Sequence, residues 1–260
     1  NPVPDHSSLS KIRSRFSLEL HQQVFTWILE VLDDAGLIQG ERLGIDASTM
    51  EANAAMRSIV RRDTGEGYRQ MLERMAKESG IQTPSEEDLS RMDRKRKGKK
   101  TSNQDWKSPS DSDARIAKMK DGRTRLAYKP EHAVDLDTGV VLASEIHHAD
   151  KGDTTTLSAT LNSARNNLST AGKAPVSTNK TEVVADKGYH SREVLKDLEG
   201  GPWKSRIREP KKNSLHCWNG DHQARRAVYN NRQRLRSKKG RQSEKLRTEL
   251  VERSNQHILD

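Results

Sequence analysis

The sequence is short of the material that builds a large apolar core. Of its 260 residues only 31% are hydrophobic and 4% aromatic, and the mean hydropathy is −0.98. A chain this lean supports a modest core with long polar segments. One cysteine, Cys217, excludes an intrachain disulfide and a multi-cysteine zinc site within these residues, and fits a reducing cytoplasm. No apolar run approaches the ~20 residues that span a bilayer, and the N-terminus lacks a signal-peptide pattern. The chain opens on Asn1 and stops at Asp260 inside a helical pattern, so it reads as a fragment cut at both ends.

What the sequence has in excess is positive charge. Lys and Arg total 47 against 37 Asp and Glu, a formal charge of +10. A surplus of that size points to a polyanionic partner, nucleic acid before a membrane surface.

The pattern along the chain is mixed α/β, and no internal repeat interrupts it. Leu9, Ile12, Phe16 and Leu18 predict a short helical start; Val24, Ile28, Leu29 and Leu32 predict a helix that stops at Gly36. Leu43 to Asp46 reads as a short buried strand. From about 61 to 123 the chain turns polar, with one helix predicted over Tyr68–Ser79 and a basic run from Arg94 to Lys100. With so little to bury, this insert is expected to be largely disordered without DNA. Leu126–Asp135 and Val140–Ile146 form a hairpin around Asp137-Thr138-Gly139. Thr154–Leu168 is a helix, Glu182–Asp186 a buried strand, Ser191 the cap of another helix, and Trp203–Ile207 an edge strand. A basic helical stretch follows from Asp221, broken at Gly240. Such an order gives a sheet with helices packed on it, with 1–39 as an N-terminal helical region and 40–260 as the main domain.

Both buried strands end on an acid, Asp46 and Asp186. A side chain there projects where open α/β sheets bind ligands. Two such acids on neighbouring strands repel unless a cation lies between them, and Mg²⁺ suits an all-oxygen site. A third acid on a nearby helix would complete a site for two metal ions about 3.5–4 Å apart, able to assist phosphoryl displacement. Glu252 is the candidate, and Glu249, one turn earlier, competes with it. Strand-end aspartates are also common turn formers.

Five segments are more specific than this spacing: PDHSSLSKIRSRF (4–16), GIDASTMEANAAM (44–56), RLAYKPEHAVDLDTGVV (125–141), VVADKGYHS (183–191) and ELVERSNQHILD (249–260). In this order they resemble bacterial insertion-sequence transposases of the DDE class. The resemblance implies an RNase H-like fold: a mixed sheet flanked by helices, here carrying the polar insert. It matches Asp46, Asp186 and Glu252 to the catalytic, metal-holding acids. It further implies Mg²⁺ (or Mn²⁺) as cofactor, hydrolysis at the ends of a mobile element, and attack of the freed 3′-hydroxyl on target DNA. The partner is then double-stranded DNA, bound as a homo-oligomer at the nucleoid, with Tyr229, Arg232, Lys187 and Arg253 as DNA-contacting residues. Relatives usually follow the glutamate with an aromatic residue, where this chain has Asn255-Gln256. Two other functions stay open on the residues alone: a related Mg²⁺ nuclease, and a truncated, inactive remnant that only holds DNA.

Other pairings carry less. His147-His148 with Asp150 and Asp153 reads as a polar surface turn after a strand. His216-Cys217 lacks partner ligands, Lys187-Gly188 lacks the lead-in of a phosphate loop, and His190 and His257 read as structural or surface residues.

Overall fold

A computed structural model describes residues 6–98, 102–211 and 218–259. Two helices open the chain, α1 (His6–Arg13) and α2 (Leu18–Asp34). Ser17 caps α2 through its hydroxyl, and Gly36, at φ +71°, lets the chain turn out of it as its spacing predicts. Leu29 of α2 enters the core, whereas Leu18, Val24, Trp27, Ile28 and Val31 lie exposed on it.

Strand β1 (Arg42–Ala47) follows, then the two-residue β2 (Met50–Glu51). The polar segment contributes β3 (Val60–Arg61), α3 (Tyr68–Glu78), α4 (Glu86–Lys95), β4 (Trp106–Lys107) and β5 (Arg115–Lys118). The long β6 (Thr124–Asp135) and β7 (Val141–His148) make the predicted hairpin, and α5 (Asp153–Thr170) crosses to β8 (Thr181–Ala185). Then come α6 (Arg192–Gly200), β9 (Trp203–Ile207), α7 (His222–Arg236) and α8 (Lys238–Leu259).

The main sheet runs β6-β1-β8-β9, with β7, β5 and β2 also pairing to β6. β1, β8 and β9 are mutually parallel; β6 is antiparallel to β1 and to β7. Helices cover both faces of this mixed sheet, the layout of an RNase H-like α/β fold. On one face Leu43, Ile45, Val183 and Ala185 pack against Leu157, Leu161 and Leu195 of α5 and α6. On the other, Val134 and Val184 pack against Val251 of α8. Arg206 fastens the turn between α7 and α8: it is paired with Glu182 at 2.9 Å and donates to the Arg234 carbonyl at 2.5 Å.

The insert departs from its expected disorder. Met71, Leu72, Ala76, Leu89, Trp106 and Ile116 form a second core with Ala52, Ile59 and Leu126. The insert borrows apolar surface from β6 and the segment after β1, which its own composition does not disclose. Polar matching does the rest. Ser85 and Asp88 form a capping box on α4, Arg74 pairs with Glu66 and Glu78, and the Tyr68 hydroxyl donates to Asp93 at 2.7 Å. Of the basic run, Lys99 and Lys100 lie outside the described residues, as do His216 and Cys217.

Two smaller expectations are corrected. The basic helical stretch breaks at Ser237, not Gly240, which lies in the first turns of α8. A Cβ on Gly240 would stand 2.2 Å from the Arg234 carbonyl oxygen, so glycine serves close approach there. His147 and His148 end β7 instead of lying beyond it, because their ladder with Tyr128 and Lys129 continues to the strand's last residue.

Candidate active site

Sheet register brings the two strand-end acids together. Ile45 lies opposite Ala185 in the parallel pair β1–β8, so Asp46 and Asp186, each one residue on, stand side by side. Alternation along the strands turns them away from the large core and toward α8, on the face of Gly44 and Val184. Asp186 lies just past β8. Its Oδ1 accepts the Gly188 N–H at 2.7 Å and caps the short turn Lys187–Tyr189.

Asp46 is held from several sides. Its Oδ1 accepts the Ala47 N–H at 3.0 Å, and its Oδ2 lies 3.4 Å from Asn255 Nδ2 and 3.6 Å from the Arg247 guanidinium. Burial raises its proton affinity and the neighbouring Asp186 charge adds to the rise, while Arg247 and Lys120 oppose it. An acid that is hard to ionise beside a second acid is an arrangement a bound cation relieves.

Helix α8 is keyed onto β1 at close range. A Cβ on Gly44 would meet Val251 at 2.7 Å and Leu136 at 2.6 Å, so only glycine admits the helix there. One turn on, Ser254 lies 2.9 Å from Nδ1 of His132, the cross-strand partner of Asp46. His132 is fully buried, which lowers its pKa, and among the described residues neither its Nε2 nor Asn255 Oδ1 has a hydrogen-bond partner. Asn255, the departure from the usual aromatic, is thus turned inward against the first acid.

Beside Asp186 opens a cavity of 830 Å³ lined by Lys187, Arg208, Lys211, Arg247, Glu244 and Thr248, among others. Arg208 pairs with Glu244 at 3.1 Å. Lys187 is exposed, so the cavity's mouth carries positive charge next to the acids.

A buried acid lies behind the site, on the opposite face of β6. Glu131 is 0% exposed. It accepts hydroxyl bonds from Thr156 at 2.7 Å, Tyr189 at 2.8 Å and Thr160. Lys129 stands 3.7 Å away and pairs with Asp153 at 2.6 Å. Burial first, then the Glu131 charge, raises the Tyr189 phenol's pKa, so it stays a donor. A Cβ on Gly188 would fall 2.2 Å from Asp153 Oδ2. The turn after Asp186 is therefore pinned at both Gly188 and Tyr189.

The other residues singled out by sequence fall as follows. Glu252 is exposed on α8, one turn beyond Thr248 on the face that lines the cavity. It is not gathered with the two aspartates: among the described residues no three His, Cys, Asp or Glu side chains are close enough to hold a metal ion. Glu249 pairs with Arg253 at 3.3 Å. Arg253 borders a separate depression with His132 and Ser254. Arg232 forks onto Glu209 at 2.7 and 2.8 Å and lies 5.3 Å over the ring of half-exposed Tyr229. Glu131, His132 and Arg247 were not singled out, and Asn255 only as a departure from the relatives. The residues alone carried no signal for the first two, because a glutamate is rarely buried and a histidine only sometimes.

Fold and site define an RNase H-like α/β protein with paired acids at the ends of its central parallel strands. The chain belongs to the transposase DDE domain family, whose profile matches residues 79–258. That span holds Asp186 and Glu252, with Asp46 ahead of it. Members of the family use divalent metal ions, act on DNA and belong to the nuclease and transposase enzymes. No curated protein and no solved structure matches the chain. No helix among the described residues is long and apolar enough to cross a membrane.

Proposed function

We propose that the chain is the catalytic part of an insertion-sequence transposase, which cleaves double-stranded DNA at the element's ends and joins them to a target. The observation that carries this reading is the register of β1 and β8, which sets Asp46 beside Asp186 on one face under α8. Their oxygen donors and mutual repulsion suit Mg²⁺, with Mn²⁺ as a substitute. Glu252 is the third acid in this reading. What supports it is its position on α8 one turn beyond Thr248, which lines the cavity.

Held there, Mg²⁺ supplies the charge that stabilises in-line displacement at phosphorus. The chain's own residues do the positioning. Lys187, Arg208 and Lys211 receive phosphate oxygens at the cavity mouth. Arg247 neutralises Asp46 until a cation does so, and Glu131 with Tyr189 holds the Asp186 turn still. Tyr229 and Arg232 contact the flanking strand, and the helical stretch 1–39 belongs to the region that grips the element ends.

The test is cleavage and strand transfer on element-end DNA with Mg²⁺ or Mn²⁺. The parent should cut, and Asp46→Asn, Asp186→Asn and Glu252→Gln should each abolish cutting with DNA binding largely kept. A variant that still cuts removes that residue from the site. A folded parent that binds DNA in a salt-dependent way but never cuts overturns the catalytic reading.

A further inference from the structure

On the far side of the acids from the Lys187–Lys211 bank, strands β5 and β6 form a two-stranded arm. Four residue pairs, from Arg115↔Ala127 to Lys118↔Thr124, zip it together. Its tip closes through Met119 N–H to Arg123 O at 2.7 Å, and Gly122 takes the φ of +84° that the turn requires.

The arm is stiff. The Asn103 side chain clamps the outer strand, accepting the Ile116 N–H at 2.7 Å and donating to its carbonyl at 3.0 Å. Ile116 and Leu126 anchor one face in the insert's core. At the base, the Tyr128 hydroxyl donates to Asp111 at 2.5 Å. The inner strand is the same β6 that places His132 opposite Asp46, so the arm and the first acid share one element.

The arginines of the arm's tip are paired, Arg123 and Arg125 both facing Asp121, and so are four on the helices beside it. Arg69, Arg74, Arg91 and Arg96 each face a carboxylate within 4.0 Å. Lys118 and Lys120 are exposed and, among the described residues, hold no ion pair. Lys120 is also near enough to weigh on the Asp46 carboxyl. A site for a chain of phosphates needs cations on both sides of the scissile bond, and the cavity supplies only one bank.

We propose that the β5–β6 arm is a DNA-gripping element, with Lys118 and Lys120 at its tip contacting backbone phosphates across the acids from Lys187, Arg208 and Lys211. This rests on the reading of the acids as a DNA-cleaving centre. Lysines on an edge strand also deter strand-to-strand aggregation, and that role alone would leave DNA binding unchanged.

The experiment is fluorescence anisotropy of the whole chain with a short labelled DNA duplex across a salt series. Each phosphate contact contributes about 0.9 to the slope of log affinity against log salt. The Lys118→Ala, Lys120→Ala double variant should bind more weakly, with a slope shallower by about 1.8, and should keep its circular dichroism spectrum and its heat of Mg²⁺ binding. The Lys118→Arg, Lys120→Arg variant should recover the parent slope. Coincident parent and alanine salt lines overturn the arm proposal while leaving parent cleavage, and the functional reading, intact. A folded parent with no affinity for DNA overturns both.

Discussion

Strand β6 separates two acidic environments, one buried and one half-buried, that differ in how well they are satisfied. Toward α5, Glu131 collects three hydroxyl donors and has Lys129 within 3.7 Å. Toward α8, Asp46 has a backbone N–H, a long contact to Asn255 and an ion pair at 3.6 Å. There, among the described residues, His132 Nε2 and Asn255 Oδ1 lack partners, and a second carboxylate stands alongside. The first environment is a structural lock. The second is held short of satisfaction by its fold, the condition in which a metal and a phosphate add most.

The largest effect on this contrast is expected at the lock. Glu131→Ala leaves three buried hydroxyl donors without their acceptor, while Lys129 keeps Asp153, so urea denaturation should show a loss of about 3–5 kcal/mol. A loss below about 1 kcal/mol would mean that Glu131 is no better satisfied than Asp46. Next comes Tyr189→Phe, which deletes one hydrogen bond to a buried carboxylate and should cost about 1.5–3 kcal/mol. Cleavage should fall with it, because the turn after Asp186 loses one of its pins. Full cleavage in a destabilised Tyr189→Phe protein would separate the lock from the site.

The smallest effect has the opposite sign. The Asp46 carboxyl has its pKa raised above 3.8, chiefly by burial. The folded chain therefore holds more protons than the unfolded one in the window just above that value, and stability falls as pH rises through it. In chelator, Asp46→Asn should melt slightly higher than the parent at neutral pH, and the gain should vanish at pH values well below 3.8. A lower melting temperature at neutral pH would place Asp46 with Glu131 among the satisfied acids.

Much of the architecture was legible in the residues. The short apolar runs closing on Asp46 and Asp186, the Asp-Thr-Gly turn and the 3.6-residue stripe of Leu157, Leu161, Ala164 and Leu168 predicted the strands and α5 close to their observed bounds. Of the insert only the helix at Tyr68–Glu78 was legible; its order was not, because its core is shared. Met71, Leu89 and Trp106 are too sparse to announce burial, and their partners Ala52 and Leu126 lie outside the polar segment. The site was half legible. An acid closing a buried strand is a pattern in one dimension, whereas His132 and Asn255 matter only because β6 and α8 meet at β1.

What the sequence determined by itself was local: strand and helix periods, the cap at Ser191, and an excess of positive charge. These depend on residues within a few positions of each other, so a linear reading suffices. Tertiary structure alone decided that Ile45 lies opposite Ala185, which makes neighbours of Asp46 and Asp186. It alone set Val251 against Gly44, which seats α8 on β1 beside the acids. Those outcomes depend on register and close packing between distant segments, and no run of neighbouring residues encodes them.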